Sequence, residues 1–375
     1  MPDRGAGPKG RGAGKVDIAV AGAGIIGCMI AWELAERSPG ASIAVFDRST
    51  IGSGATLRSA GLDFPRGSTE RVREMCAASQ ARYRSLAPIG LPIYPVGMLV
   101  LAEGEAPPPA YLPSAQMTRD DRLPAAIGLP AGLTAWRGTG CMYADVPGVA
   151  LALARELRTR RTRVRFREAT QVTGVEPSRD QVTLRLGTGD TLTAGRVVLA
   201  PGPWLAAPAW RDLVAPLGVR VKKIVALHVE QPVRDDDDCV VFADEDAFLL
   251  PLRYRGHWLY SYTCTEWDVD PDELRTGLSA RDVDEAAGAL RRYAPGLAAR
   301  LTGGGGRVFC DAYSTAGEPL VRALDDDGRL VFAGAANGSG YRLAPAIAAQ
   351  AADLLLSSGF SSDSLLTPSG QRGTQ

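Results

Sequence analysis

An apolar run at Asp17-Ile-Ala-Val-Ala leads straight into Gly-Ala-Gly-Ile-Ile-Gly. The helical pattern Cys-Met-Ile-Ala-Trp-Glu-Leu-Ala follows, and Ile43-Ala-Val-Phe-Asp47 comes after it. This order predicts a strand, a G-x-G-x-x-G turn, a helix and a second strand ending in an acid, which is the unit a dinucleotide site needs. In such a unit Gly22 permits the tight turn, Gly24 lets the backbone approach a pyrophosphate, and Gly27 lets the helix pack closely on the strand. The helix N-terminus offers its free N–H groups to the phosphates, and Asp47 holds the ribose hydroxyls. The Gly pattern alone is a weak signal. The strand before it, the helix after it and the acid at the right distance make it strong.

The 375 residues, 45% of them hydrophobic and 22% charged, suffice for a large core and two domains. Lys+Arg and Asp+Glu both number 42, so the charge balance gives no reason to expect nucleic acid or an anionic membrane as partner. A small molecule is the expected partner. Residues 1–15 are Gly-rich and basic without the apolar core of a signal peptide, which predicts a disordered leader and a cytoplasmic protein. The longest apolar run, Ile18 to Trp32, is too short to span a bilayer. Six cysteines without a C-x-x-C pair argue against a zinc site and a disulfide framework, and point to buried thiols. The acidic runs Asp235 to Asp238 and Asp325 to Asp327 lack calcium-loop spacing and read as solvated turns, so no metal is expected. His228 and His257, the only histidines, sit in no nucleophilic pattern and read as structural.

Along the chain the organisation is that of an interrupted domain. The small-residue loop from Ile51 to Gly61 suits close approach to a cofactor, and a helix is predicted over Glu70 to Leu86. Leu91 to Thr134 is Pro-rich and suits connections and short strands. A helix begins after Asp145, a candidate cap. Strands follow at 164–166, 172–175, 182–186 and 197–199, the last running into Ala200-Pro-Gly-Pro-Trp204. Alternating segments between Val219 and Tyr262 predict an antiparallel sheet, and Ala280 to Tyr293 a helix packed on it. Leu330 onward reads as a strand, a Gly-rich turn and a helix whose N-terminus points back at the cofactor. The expected fold is therefore α/β and α+β, a discontinuous Rossmann-like domain with an antiparallel-sheet substrate domain. Its nucleotide-binding parts are 16–88, 145–215 and 309–360, its substrate parts 89–144 and 216–308, and its tail 361–375.

The pieces VAGAGIIG with Asp47, GSGAT-x-RSAG, VVLAPGPW, FLLP and FAGAANGSGYRLAP, in this order, resemble the FAD-dependent D-amino-acid oxidase superfamily, in its sarcosine oxidase and glycine oxidase branch. The resemblance covers most of the chain. It implies FAD bound in an extended pose and an enzyme oxidising a C–N, or less often a C–O, bond by hydride transfer to flavin. It places the cofactor against Gly22, Gly24, Ile25, Ile26, Gly27, Asp47 and Arg48 of the first unit, and against Ser53, Ala55, Thr56, Ser59, Ala60 and Gly61 of the loop. Further on it adds Val172, Ala200, Gly202 and Trp204, then Gly334, Gly338, Ser339, Gly340, Tyr341 and Arg342.

For the substrate, the resemblance implies that Arg342 clamps a carboxylate, with pairing to an acid for stability as the alternative. Arg58 is a second candidate, with a phosphate contact or a surface position as its alternative. Tyr313, Phe248 and Tyr341 are candidates for an aromatic wall around an amine, with plain core packing as the alternative. Ser339 stands where the branch carries a histidine, which implies a different substrate. Cys310, eight residues before Glu318, matches a cysteine that carries a thioether to flavin in such enzymes, so a covalent FAD is one expectation and an unreactive buried thiol the other. The segment Tyr262 to Asp272, where the branch supplies a lysine for reaction with oxygen, contains no Lys or Arg. Lys222, Lys223 or Arg253 would have to replace that charge, and otherwise the protein is a slow oxidase or a dehydrogenase. The same fold also supports a 2-hydroxy-acid dehydrogenase, or a flavin-binding subunit that needs a partner chain. Oxygen or another acceptor takes the electrons, and the oligomeric state is open.

Overall fold

The computed structural model describes residues 12–301 and 305–357. Strand β1 (Gly12–Ala21) lies between β2 (Ile43–Phe46) and the strand Thr191–Leu199, parallel to both, and helix α1 (Ile25–Arg37) connects β1 to β2. Val164–Arg167 extends the parallel core beyond β2, and Leu330–Gly334 extends it beyond Thr191–Leu199. Antiparallel strands Val172–Pro177, Val182–Leu186 and Leu320–Ala323 complete an eight-stranded sheet.

The central strands are apolar on both faces because both are covered. Ile18, Val20, Ile43 and Val45 pack under α1 and the C-terminal helix Gly340–Ser357, while Ala19, Ala44, Phe46 and Val197 pack against the 172–186 hairpin. Two glycines of the motif have measurable reasons to be there. Gly22 has φ +111°, and a Cβ on Gly27 would lie 1.9 Å from the Gly22 carbonyl oxygen, so only glycine lets α1 sit this close to the end of β1.

The expected leader is corrected in part. Residues 1–11 lie outside the described residues, but Gly12 and Lys15 belong to β1 and pair with Thr191 and Thr193. Ladder pairing uses the backbone, so a neighbouring strand can recruit a segment without apolar side chains. The expected tail, 361–375, lies outside the described residues.

The second sheet also has eight strands. In spatial order they are Gly306–Tyr313, Arg220–Val229, His257–Tyr262, Ala247–Leu252, Cys239–Phe242, Met98–Glu103, Leu133–Gly138 and Thr118–Arg119. All neighbours are antiparallel except Cys239–Phe242 against Met98–Glu103. Helix Ala280–Arg291 starts at a capping box between Ser279 and Asp282 and buries Ala286 and Leu290 on this sheet. The strand Gly306–Tyr313 runs across the expected border at 308/309, because its register with Arg220–Val229 continues to Tyr313. Asp145 does precede the helix Val146–Arg160, yet its side chain makes no capping hydrogen bond. Among the described residues, no helix is long and apolar enough to cross a membrane.

Candidate active site

A cavity of about 480 Å³ lies between the carboxyl ends of β1, β2 and Thr191–Leu199 and the inner face of the second sheet. The crevice beyond the carboxyl ends of parallel strands is where open α/β sheets bind their ligands. At one end stand Gly22, Gly24, Ile25, Ile26 and Gly27, so the first turn of α1 faces the cavity with its N–H groups outside any helical ladder. Asp47 is fixed here, its carboxylate accepting the N–H of Ala23 at 2.8 Å and of Ser49 at 2.8 Å. Thr56 Oγ1 accepts the N–H of Ile25 at 2.9 Å and ties the small-residue loop to α1. Ser53, Ala55, Arg58, Ser59, Ala60 and Gly61 of that loop line the cavity, as do Val172, Ala200 and Gly202. Arg48 lies 4.7 Å from the centre of the Trp204 ring, and Asp272 binds both Arg48 and the Trp204 indole N–H.

This set suits an extended dinucleotide. It combines a helix N-terminus for phosphates, an acid at the end of β2, small residues along one wall and a tryptophan beside them. One expected contact is corrected here: Gly334 is buried inside its strand, and its neighbour Ala333 reaches the cavity instead.

At the other end the turn Gly338, Ser339, Gly340 opens the C-terminal helix, with Arg342 in its first turn. Arg342 is 8% exposed, and no carboxylate among the described residues pairs with it. It donates to Ser339 Oγ at 2.7 Å and to the Phe64 carbonyl at 3.5 Å, and its Cζ lies 4.7 Å from the Phe64 ring centre. Burial lowers its pKa, the cost of keeping a cation here, and Cys76 and Asp63 partly offset that cost. Asp63 lies close by without touching the guanidinium; burial pushes its carboxyl up to about 6. Tyr341 lines the cavity, yet its ring is buried against Tyr83 at 5.1 Å between centres, so core packing accounts for it. Phe248 and Tyr313 do form cavity wall.

The inner face of the second sheet carries Lys222, Ile224 and Ala226 on one strand and Phe309, Asp311 and Tyr313 on the next. Side chains alternate along a strand, so Cys310 faces away from the cavity, opposite Lys223. Burial pushes its thiol up to about 12, leaving little thiolate for bond formation. Cys310 is therefore removed from the cofactor contacts, and Glu318 is occupied with Thr69 and Arg71. Of the three expected cations only Lys222 reaches the cavity. Lys223 is bound to Glu266 and Asp282, and Arg253 donates to the carbonyls of Pro95 and Asp237. The rings of His228 and His257 lie 4.1 Å apart between centres, tilted by 37°, outside the cavity lining. Asp311, Phe64 and Arg66 are among the lining residues that escaped the sequence reading. Asp311 was legible from the two-residue period counted back from Tyr313, whereas nothing in Phe64-Pro-Arg66 signalled a cavity.

A family model described as DAO, FAD dependent oxidoreductase, matches residues 17–354. No curated protein matches. Among solved structures, the fold is similar to NikD, described as an unusual amino acid oxidase essential for nikkomycin biosynthesis. The match has 18% identity over 93% of this chain and 96% of that one, with a TM-score of 0.74. It is similar also to glycine oxidase from Geobacillus kaustophilus, with 20% identity, 92% and 96% coverage and a TM-score of 0.72. L-proline dehydrogenase from P. horikoshii matches with 17% identity, 92% and 95% coverage and a TM-score of 0.76. These likenesses show a shared fold. The family match is of another kind, since it runs from the first strand to the last helix and takes in both ends of the cavity. The chain belongs to the DAO family of FAD-dependent oxidoreductases.

Proposed function

We propose that the protein oxidises a C–N bond of an amine, imine or amino acid that bears a carboxylate, as enzymes of the sarcosine oxidase and glycine oxidase kind do. The observation that carries this reading is Arg342: a buried guanidinium at the cavity, held by Ser339 and a carbonyl and bonded to no carboxylate among the described residues. A buried cation whose donors are bonded to no carboxylate is a site for an anionic group. The names carried by the similar structures, an amino acid oxidase, a glycine oxidase and a proline dehydrogenase, support an amino acid in particular.

Bound FAD supplies the hydride acceptor. The first turn of α1, Asp47 and the 53–61 loop would hold it. Arg342 binds and orients the carboxylate, and Ser339 fixes the guanidinium that does so. Phe248, Tyr313 and Phe64 exclude water. The nitrogen lone pair must be free as the hydride leaves the adjacent carbon, and desolvation together with the positive charges of Arg342 and Lys222 lowers the amine pKa without a strong base. Lys222 also makes oxygen a suitable acceptor. All six cysteines are free and buried, which suits a cytoplasmic protein.

The test is the visible spectrum of the purified protein before and after anaerobic addition of a panel of secondary amino acids. Bleaching by an amino or imino acid supports the reading. Bleaching by 2-hydroxy acids alone transfers the assignment to C–O oxidation. Arg342→Ala weakens binding of the acid by about 2–5 kcal/mol, and the decarboxylated amine loses its disadvantage in that variant.

A further inference from the structure

We infer that Arg66 forms a second anion subsite beside Arg342, so that the preferred substrate carries two carboxylates, one at each arginine. The inference rests on the reading of Arg342 given above and adds the substrate class.

Both guanidiniums lie against the same ring. Arg342 Cζ is 4.7 Å and Arg66 Cζ 5.9 Å from the centre of Phe64, and all three residues line the cavity. The backbone holds them in this relation. The Arg66 N–H donates to the Phe64 carbonyl at 2.7 Å across Pro65, and Arg66 forms a β-bridge with Tyr111. The two differ in depth: the side chain of Arg66 is 28% exposed, whereas Arg342 is 8% exposed. A carboxylate seated on Arg342 and Ser339 at the floor therefore leaves Arg66, nearer the mouth, for a second group.

Arg66 has donors to spare. One nitrogen reaches Asp246 across the cavity at 3.5 Å, the long end of hydrogen-bond range, and that carboxylate also accepts from Thr263 Oγ1 at 3.1 Å. No other side-chain hydrogen bond of Arg66 is formed among the described residues. Its charge is one of the influences that lower the pKa of Arg342, after burial. Two like charges in one low-dielectric cavity repel each other, and an anion on each removes the repulsion.

Ligands that cannot be oxidised test this apart from turnover. The flavin-loaded protein is titrated with acetate and butyrate, then with succinate, glutarate and adipate, following the visible spectrum and the heat of binding. At least one dicarboxylate is expected to bind about tenfold or more tightly than either monocarboxylate, and Arg66→Gln is expected to abolish that advantage while leaving monocarboxylate binding in place. Equal binding of mono- and dicarboxylates in the wild type overturns the second subsite. So does an Arg66→Gln variant that weakens both classes equally, because Arg66 then shares the single carboxylate of Arg342. Loss of all carboxylate binding in Arg342→Gln supports the carboxylate reading itself. Its retention there would overturn that reading, so the two failures remain distinct.

Discussion

Lys222 and Asp311 stand directly opposite each other on neighbouring antiparallel strands, both on the wall of the cavity, and they do not form an ion pair. Lys222 Nζ lies instead 5.2 Å from the ring centre of Trp267 and 5.4 Å from that of Tyr313. Trp267 belongs to the segment from Tyr262 to Asp272 that lacks any cation, and it forms a β-bridge with Lys222. A lysine thus stands on the strand beside a segment that has none. Burial lowers the Lys222 pKa, and Asp246 partly counters this.

The first prediction concerns oxygen. A fixed positive charge stabilises superoxide as it forms, so Lys222→Met should slow reoxidation of the reduced enzyme by oxygen about 10- to 100-fold. Lys223→Met and Arg253→Met should leave the rate near wild type. Stopped-flow mixing with oxygen reads all three, and an unchanged rate in Lys222→Met would show that another group provides the charge.

Asp311 gives a prediction about pH. Burial pushes its carboxyl up to about 7, and no hydrogen-bond partner reaches it among the described residues. An unfolded aspartate releases its proton near pH 4, so between about pH 4 and 7 the folded protein holds a proton that the unfolded chain has lost. Stability from this group therefore falls as pH rises through that window and levels off above it. Asp311→Asn should be more stable than wild type above pH 7 and equal to it near pH 4. Urea melts of the flavin-free protein across this range decide the matter.

With Cys310 turned to the far face of its strand and its thiol protonated, the FAD should be held without a covalent bond. Acid precipitation should leave all the yellow colour in the supernatant. Flavin remaining in the pellet, and lost from it in Cys310→Ser, would overturn this.

The glycines of the first turn should separate cofactor binding from folding. A Cβ at Gly24 would lie 3.1 Å from Thr56 Oγ1, a side chain that can give way. Gly24→Ala should thus fold and purify with little flavin. At Gly27 the added carbon meets backbone, so Gly27→Ala should lose flavin and also about 1–3 kcal/mol of stability. Flavin content and thermal melts of the two variants distinguish these outcomes.

The nucleotide end of this protein was legible along the chain. Gly27 and Asp47 act through contacts within one strand, turn, helix and strand, so their spacing along the chain fixes their spacing in space. Arg342 was marked by the resemblance of its Gly-Ser-Gly-Tyr-Arg turn to the family's. Tertiary structure alone decided the substrate end. Which of Cys310 and Asp311 faces the cavity depends on the face that the Gly306–Tyr313 strand turns inward, and a shift of one residue in register exchanges them. Lys222 against Lys223 was settled by the same alternation on the adjoining strand. Arg66 and Arg342 are separated by most of the chain and meet only because Phe64 and the C-terminal helix converge on one cavity. Local periodicity carries no information about such a meeting, since it brings together segments far apart in the chain.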